Sequence, residues 1–591
     1  MIDRTTKLRW RRRVRRRQRQ VEDIGSQTEE NLDRHFFRRL GRLYEVRRFI
    51  LAWLMLLVAL IGAVVVQTRA LGDYYLKIVP VAGGIYSEGI LGTYTNANPI
   101  FATGDVDTAV SRLLFSSLFS YDADNILVGD IAEGWSVDES GKIYTVKLRQ
   151  DIFWHDETQL TAKDVLFTYQ TIQNPDARSP LFSSWSGVKI EASDEHTLTF
   201  TLPNVLASFP YSMTNGIIPE HLLKEVAVTD LRGSLFNTIE PVGTGPFKWG
   251  GVEVVGDTVE NREQRIALKA NNKYHKGPPR VTEFILRAYL NENALVGSFD
   301  RGELNAVVGA LSMPLSGNLA EEYNISLTGS VMIFFRNTQE VLQDAKVRRA
   351  LTFATNQKEI IRSLAYSSKA VTGPLLPEHI GYDETLMQYG FDLEQAKKLL
   401  EEAGWMSDLS GDIRVKDGHK LSMTLTTLSS AEYAGVATQL QKQWRLAGVD
   451  LIVNSFSQDE LQSLIGQRAY DALMYGIVMG VDADQFAYWH STQADVLAQQ
   501  RLNFSDYKSA TADAALEAGR TRINAELRAA KYKPFLQSWR DDAPAIALYR
   551  PRFIYTTYDK VYNFQAKDIH SPTDRFLGIE QWMIRTDRAV N

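Results

Sequence analysis

The sequence predicts a mixed α/β protein that lies outside the cytoplasm and is preceded by one N-terminal transmembrane helix. Three features of the 591 residues support this fold class: an uninterrupted apolar stretch, a strongly basic segment before it, and alternating strand and helix periodicities after it. Together they indicate a membrane-attached globular protein with room for two or more domains.

The apolar stretch runs from Phe49 to Val66 and contains eighteen residues without a charge or a proline. At about 1.5 Å per residue a helix of this length reaches roughly 27 Å, close to the hydrocarbon thickness of a bilayer. We therefore predict a transmembrane helix over residues 49–68 and a linker over 69–82. A cleaved signal peptide is the alternative, because Thr68-Arg69-Ala70 resembles a cleavage site, although the basic segment and the apolar core are both long for that role.

Residues 1–48 form a basic tail, with sixteen Lys or Arg against seven Asp or Glu. Positive charge beside a span resists translocation, so we expect a cytoplasmic N-terminus and an extracytoplasmic C-terminal domain in a single-pass protein of the cell membrane. An Arg-rich tail could bind nucleic acid, but next to a span anionic lipid is the favoured partner. We expect no nucleic-acid partner.

The composition excludes several kinds of site. There is no cysteine, which excludes disulfides, thiolate metal sites, a cysteine nucleophile and lipid attachment at an N-terminal cysteine. The sequence contains no G-x-S-x-G elbow and no H-E-x-x-H motif, and its nine histidines lack paired spacing. We therefore expect no catalytic site, no protein-bound metal and no cofactor.

The globular part begins near Gly83 and alternates between helix and strand patterns. Apolar residues at helical spacing predict a helix over Asp105–Phe119. Period-2 alternation predicts strands at Ile143–Arg149 and Thr197–Leu202, with a capped helix beginning near Thr161 between them. Further on, Asp392 and Gly404 fit the start and the stop of another helix.

The order of short motifs along the chain resembles the family of extracellular solute-binding proteins, family 5, which serve peptide, dipeptide and nickel ABC importers. Each motif alone is weak because it describes turns and caps, but their joint order from about Gly83 to Trp582 is specific. The segments that carry the resemblance are Gly129–Trp135, Tyr144–Arg149, Phe153–Asp156, Leu160–Val165, Pro241–Phe247, Asn272–Pro278, Gly302–Asn305, Val347–Leu351, Asn356–Glu359, Asp392–Gly404, Trp444–Val449, Tyr470–Met474 and Asp541–Tyr549.

The resemblance implies a periplasmic-binding-protein type II fold, with two α/β lobes and an extra subdomain inserted in the first. By this resemblance the first lobe would comprise residues 83–124, 241–330 and 548–591, the inserted subdomain 125–240, and the second lobe 331–547. Ligand would lie between the lobes and would be buried when they close.

The resemblance also points to ligand contacts in the loop after Tyr470–Met474. Peptide-binding relatives carry an aspartate there that meets the α-ammonium group of the ligand, but aligning Phe486 with the aromatic residue of the family puts Met479 at that position. A one-residue gap would put Gly480 there, so the carboxylate is missing either way. Asp482 or Asp484 could substitute for it if the loop is rearranged, although a solvated turn is the alternative for both. Otherwise the ligand has no ammonium group, since a buried unpaired ammonium costs several kcal/mol.

Three further cleft candidates follow from the same matching. Asp107 falls at an acidic first-lobe contact of peptide binders, although it could equally favour the N-terminus of its helix. Trp185 falls near an aromatic cleft residue of the inserted subdomain, and Trp489 follows the second-lobe loop. For both tryptophans ordinary core packing remains an alternative.

By resemblance, then, the chain would be a membrane-anchored substrate-binding component of an ABC importer that captures oligopeptides or a related solute. It would act as a monomer with ABC permease and ATPase subunits. The alternatives are a binder of an oligosaccharide or metal chelate, and a surface sensor or adhesin that uses the fold without transport.

Overall fold

The computed structural model describes residues 14, 15, 17, 47–258, 261–309, 321–407, 412–498 and 501–590. The chain divides into two compact units, one up to Pro80 together with Thr586 onward, and the other from Val81 to Arg585. The basic tail predicted over residues 1–48 lies almost entirely outside the described residues.

The described part of the chain contains helices and strands in frequent alternation. The helices are α1 (Arg47–Tyr75), α2 (Asp105–Leu114), α3 (Ala162–Gln173), α4 (Phe182–Trp185), α5 (Glu220–Leu223), α6 (Glu292–Asp300), α7 (Glu340–Gln343), α8 (Ala345–Phe353), α9 (Gln357–Ser363), α10 (Leu393–Glu402), α11 (Ala431–Leu446), α12 (Gln458–Gln467), α13 (Phe486–Trp489), α14 (Ala510–Arg520) and α15 (Ala525–Asp542). The strands are β1 (Leu76–Val81), β2 (Ile85–Leu91), β3 (Phe119–Tyr121), β4 (Leu127–Gly129), β5 (Ala132–Val137), β6 (Ile143–Leu148), β7 (Lys189–Asp194), β8 (Thr197–Thr201), β9 (Phe247–Val255), β10 (Glu263–Ala270), β11 (Glu283–Tyr289), β12 (Ala306–Val308), β13 (Glu321–Ser326), β14 (Gly329–Phe335), β15 (Val415–Lys416), β16 (His419–Lys420), β17 (Ser422–Leu428), β18 (Asp450–Phe456), β19 (Ala472–Val478), β20 (Ala545–Tyr549), β21 (Arg552–Thr557) and β22 (Arg585–Val590).

The first unit contains α1 and the strand pair β1–β22. Within α1, the window Leu51–Thr68 is long and apolar enough to cross a membrane, with a mean hydropathy of 2.3 and its side chains exposed. The predicted span over residues 49–68 therefore coincides with a candidate membrane helix, a description that a signal sequence would also fit. The helix continues beyond the predicted span to Tyr75, and β1 follows directly.

The second unit contains two large mixed sheets and one smaller antiparallel sheet. The seven-stranded sheet has the order β13-β21-β12-β2-β11-β10-β9, and the five-stranded sheet the order β18-β17-β19-β14-β20. The four-stranded sheet β5-β6-β8-β7 shares one buried core with the seven-stranded sheet, and we call these two sheets and the elements packed on them the first lobe. The second lobe is built on the five-stranded sheet, which carries a separate core on each face.

Local sequence patterns explain several of these elements. In β6 the side chains of Tyr144, Val146 and Leu148 are buried, and Tyr144 pairs with Phe200 of β8, as the period-2 alternation predicts. Helix α10 begins with Asp392, whose carboxylate accepts a hydrogen bond from the backbone N–H of Gln395. These predictions are confirmed.

The helix predicted over Asp105–Phe119 is shorter in the structure, because α2 ends at Leu114 and Phe119 begins β3. The backbone N–H of Gly245 donates to the Leu114 carbonyl at 2.8 Å, so this carbonyl is not available to continue the helix. A Cβ added at Gly243 would lie 1.9 Å from the same carbonyl oxygen, and one at Gly245 would lie 2.6 Å from the carbonyl carbon. Only glycine permits this approach, so the loop Pro241–Phe247 terminates the helix.

The chain crosses between the two lobes at two adjacent points. Leu327 and Thr328 connect β13 of the first lobe to β14 of the second, and Arg550 and Pro551 connect β20 back to β21. The backbone N–H of Leu327 donates to the carbonyl of Pro551 at 2.9 Å, so the two crossings lie side by side. This pair of short adjacent segments is the connection expected of a hinged two-lobed protein.

A buried ionic network holds the C-terminal segment against the first lobe. Arg575 donates from Nη2 to Glu88 Oε1 at 2.6 Å, and the Tyr555 hydroxyl donates to Glu88 Oε2 at 2.9 Å. Glu88 is 0% and Arg575 is 1% exposed. Burial, and then the Glu88 carboxylate, raise the pKa of Tyr555 well above its ordinary value, so Tyr555 remains a hydrogen-bond donor.

We expect Arg575→Ala to lower the free energy of unfolding by about 3 to 5 kcal/mol, because it leaves the Glu88 carboxylate buried without its charge partner. Denaturant titration of the full chain in detergent measures the change. Arg362→Ala, at an exposed position of α9, is the matched control and should change stability by less than about 0.5 kcal/mol. Equal effects of the two substitutions would contradict the role assigned to the network.

Candidate functional site

The carboxyl ends of β17, β18 and β19 lie at one edge of the second-lobe sheet, because these three strands are parallel. Gly329, the first residue after a crossing, pairs with Val478 at the end of β19. The loop after β19 and the beginnings of α11 and α12 therefore lie at the edge from which the chain passes to the first lobe. Ligands of open α/β sheets bind at such carboxyl-end edges.

The loop after β19 begins with Met479, the residue predicted to stand where peptide binders have an aspartate. Met479 is buried, its backbone N–H donates to Thr328 at 2.9 Å, and its carbonyl accepts from Gln485 Nε2 at 3.0 Å. Gly480 follows with φ of 68°, and its carbonyl lies 3.0 Å from His379 Nε2. This turn offers no carboxylate, as the sequence comparison with the family indicates.

Asp482 is neutralised from within the protein. Arg528 of α15 donates to both carboxylate oxygens of Asp482, at 2.6 Å to Oδ2 and by a second short contact to Oδ1. The side chains of Asp482 and Arg528 are 11% and 4% exposed. Burial lowers the pKa of Arg528, but the hydrogen bonds and charge of Asp482 outweigh it and raise that pKa above its ordinary value.

Asp484 joins the second lobe to the first. Its Oδ2 accepts from the Ser208 hydroxyl at 3.1 Å and lies 3.2 Å from Arg520 Nη2. The backbone N–H of Ala207 also donates to the Arg520 carbonyl at 2.9 Å. The predicted substitute anchor is thus paired with an arginine and lies in a polar contact between the lobes.

The predicted aromatic contacts in this region pack against protein groups. The Phe486 ring stacks on His490 at 4.0 Å, and the Arg520 guanidinium lies 4.1 Å from the centroid of the same ring. Trp489 is fully buried and packs edge-on to Trp539 at 5.6 Å. Ligand contact by either residue stays a prediction.

The two first-lobe candidates also have internal partners. Asp107 accepts hydrogen bonds from the Thr95 backbone at 2.7 Å and from the Asn96 backbone at 3.0 Å, which fixes the segment before α2. Trp185 is 1% exposed and stacks on Tyr169 at 3.8 Å in the core beside the four-stranded sheet. Among the described residues, no hydrogen bond, ion pair or ring contact joins Asp107 or Trp185 to the loop after β19.

A cavity of about 440 Å³ lies where the crossing at Thr328 meets both lobes. The first lobe contributes the turn between β3 and β4, including Asp124 and Ile126, and the second lobe contributes Glu378 and Val481. A space of this size lies within the range that small ligands occupy. Val481 packs against the first-lobe core although it belongs to the second-lobe loop, so this wall of the cavity lies at a contact between the lobes.

Sequence analysis missed most of the residues that line this cavity. The turn near Asp124 shows only turn-forming residues, and Glu378 and Asp568 lie in segments without a distinctive pattern. Asp124, Glu378 and Asp568 lie more than 180 residues apart in the chain, so only the fold brings them to one cavity. Across the described ranges, groups of three or more His, Cys, Asp or Glu able to hold a metal ion are absent.

We expect Asp482→Asn to lower the unfolding free energy by up to about 3 to 5 kcal/mol, because Arg528 then stays buried without its charge partner. The affinity for a peptide such as tetra-alanine should change by less than about threefold, which is under about 0.7 kcal/mol. Denaturant titration and calorimetry of the full chain measure the two quantities. Asp417→Asn, at an exposed turn, is the control for the unfolding free energy and for the peptide affinity. If Asp482→Asn instead caused a large loss of peptide affinity at unchanged stability, Asp482 would be the ammonium anchor.

Known proteins resemble this chain over most of its length. The Bacillus subtilis oligopeptide-binding protein AppA is 27% identical over 526 residues, covering 85% of this chain and 92% of the relative. The Escherichia coli dipeptide-binding protein is 23% identical and covers 80% and 91% respectively.

Solved structures share the fold. The structure of Campylobacter jejuni NikZ in complex with Ni(L-His) superposes with a TM-score of 0.71 at 23% identity, covering 85% of this chain and 99% of that one. Bacillus subtilis AppA in complex with a nonapeptide gives 0.66 at 24% identity, covering 86% and 100%. The family model described as bacterial extracellular solute-binding proteins, family 5, middle, matches residues 127–499, and this chain belongs to that family.

Proposed function

We propose that the chain is the membrane-anchored substrate-binding component of an ABC importer, and that it captures oligopeptides or a related solute outside the cell. The observation that carries this proposal is the cavity of about 440 Å³ at the crossing, which is lined by residues of both lobes. Membership of the solute-binding family and the printed functions of its peptide-binding relatives support it.

The two-lobed geometry suits a binding protein whose conformation differs between the empty and the ligand-bound state. Ligand contacts made to both lobes stabilise the closed arrangement, and rotation about the two crossings changes the surface that a permease can contact. The ligand leaves unchanged, so the mechanism requires no nucleophile, metal or cofactor.

The assignment of chain segments is part of the proposal. Residues 1–48 form the cytoplasmic tail, 49–68 the anchor and 69–82 the linker. The first lobe comprises 83–124, 241–330 and 548–591, with 125–240 inserted and 331–547 forming the second lobe. The protein acts as a monomer beside permease and ATPase subunits.

Two other ligand classes, metal chelates and oligosaccharides, are the alternatives to peptides. A relative of known structure carries Ni(L-His), which makes a metal chelate a reasonable competitor, and an oligosaccharide is the other. Response to none of these classes would favour a sensor or adhesin with the same fold.

We expect peptide to raise the unfolding free energy of the full chain in detergent by about 2.7 kcal/mol at one hundred times its dissociation constant, because ligand binds the folded state only. A melting screen over tetra-alanine, maltotriose and the nickel–histidine complex measures the effect. A shift with maltotriose or the nickel complex, and none with peptides of several lengths, would overturn the peptide assignment.

The membrane topology can be measured by cysteine labelling, because the natural chain has no cysteine. We expect an impermeant maleimide to label Glu133→Cys in right-side-out spheroplasts, and to label Ser26→Cys only after the membrane is permeabilised. Glu133 is exposed on β5, so its labelling does not depend on unfolding. Labelling of both positions without permeabilisation would contradict the proposed orientation, and loss of residue 26 from the mature protein would indicate a cleaved leader.

A further inference from the structure

A second cavity, of about 310 Å³, lies within the second lobe. It is bounded by α12, by the end of β19, and by α13 with the segment that follows it. Val478, at the end of β19, lines the cavity and is 51% exposed, so solvent reaches this wall. A space of this size lies at the lower end of the range that small ligands or single side chains of larger ligands occupy.

The walls of this cavity consist largely of aromatic rings and aliphatic side chains. The ring centroids of Tyr475 and Phe504 lie 5.9 Å apart, and those of Tyr488 and Phe504 lie 6.4 Å apart. Ile477 and Leu502 add aliphatic surface. We call this space the aromatic cavity. Its lining favours an apolar occupant, because apolar surface gains by leaving water and a further ring can pack against the rings already present.

Polar side chains of the aromatic cavity are bonded within the protein. The Tyr488 hydroxyl donates to the Val478 carbonyl at 2.8 Å, and Gln462 Nε2 donates to the Tyr475 hydroxyl at 2.8 Å. Burial raises the pKa of Tyr488 to about 12, so its hydroxyl stays protonated and keeps this bond. None of the described residues that line the cavity carries a carboxylate. A cationic occupant would therefore lose hydration without gaining a charge partner, which is unfavourable.

Arg501 contributes a positive charge to the lining of the aromatic cavity. Its Nη1 donates to the Gly466 carbonyl at 3.0 Å, and it forms no ion pair among the residues that the structure describes. Its charge adds to the cost of a basic occupant and would attract an acidic one. An acidic side chain is therefore the competitor that a test must separate from an apolar one.

The aromatic cavity and the cavity at the crossing adjoin one short segment of the chain. Val478 lines the first and Val481 lines the second, with two residues between them. Three residues of extended chain span at most about 11 Å. A linear solute of a few residues is therefore long enough to reach from one cavity to the other.

We propose that the aromatic cavity receives one aromatic or large aliphatic side chain of the solute, and that it makes the protein selective for such a side chain at one position. The inference rests on the proposed function and narrows its ligand class to peptides or related linear solutes that carry an apolar side chain. The selectivity comes from the second lobe alone, because the described lining residues all lie between Gln462 and Phe504.

Calorimetry of the full chain in detergent tests the inference. The probes are tetra-alanine and the tetrapeptides in which each alanine in turn is replaced by phenylalanine, lysine or glutamate. We expect phenylalanine at one position to strengthen binding about tenfold, because most of its ring leaves water. Lysine at the same position should weaken binding about tenfold or more, because its ammonium group lacks a charge partner there. Glutamate should bind no better than alanine.

Gly466→Leu narrows the aromatic cavity without removing a side-chain contact. Gly466 lies in α12 and lines the cavity, and a Cβ added there would meet no atom within 4 Å outside its own helix backbone. We expect the variant to remove the preference for phenylalanine while the unliganded melting temperature stays unchanged or rises, because leucine favours a helix more than glycine does. Ala530→Leu, at an exposed position of α15 outside the cavity lining, is the matched control and should keep the preference.

The outcomes separate this inference from the proposed function. Binding of tetra-alanine with no position that prefers phenylalanine overturns the inference and leaves peptide binding intact. A preference for glutamate that Arg501→Gln removes also overturns it, because the cavity would then be an anion site. A phenylalanine preference that survives in Gly466→Leu places the ring elsewhere and overturns it as well. Binding of none of the peptides overturns both the inference and the peptide assignment.

Discussion

Two adjacent chain crossings connect the lobes, and the position of every wall of the cleft depends on them. Leu327 and Thr328 form one crossing, Arg550 and Pro551 the other, and a backbone hydrogen bond joins the two. The two crossings run antiparallel, since β13 pairs with β21 and β14 with β20 in antiparallel register, so a hinge between the lobes would be confined to this pair. The buried guanidinium of Arg550 binds Glu378 on one side and Asp568 on the other, so the charges of the cavity are fixed to the hinge itself.

The parts of the fold that sequence predicts best are those determined by neighbours in the chain. The cap at Asp392 and the alternation in β6 depend on contacts within a few residues or on simple burial, and both appear in the structure as expected. The end of α2 was not predictable in this way, because the carbonyl of Leu114 is occupied by Gly245, 131 residues further along the chain. The motif Pro241–Phe247 was recognisable as a family feature, but its physical role becomes clear only from this contact.

In the candidate site, too, residue identities can be read from the sequence, whereas contacts between distant residues cannot. The absence of a carboxylate at Met479 could be read from the sequence, since it is a matter of residue identity. The pairing of Asp482 with Arg528 and of Asp484 with Arg520 could not be read from the sequence. The arginines lie 46 and 36 residues further along the chain, on separate helices. Asp124 gave no signal beyond a turn, because the cavity that it lines is formed by segments far apart in the chain.

The polar bridge between Ser208 and Asp484, with the backbone bond from Ala207 to Arg520, has an energetic consequence for a two-lobed binding protein. A solute-binding protein whose lobes stay together when it is empty would present the same surface with and without a solute. These two hydrogen bonds contribute on the order of 1 kcal/mol each, beside the packing of Val481 on the first-lobe core and the ion pair between Lys369 and Asp568. A bound solute that contacts both lobes would add to this contact, and the difference between the occupied and the empty protein would come from those added contacts.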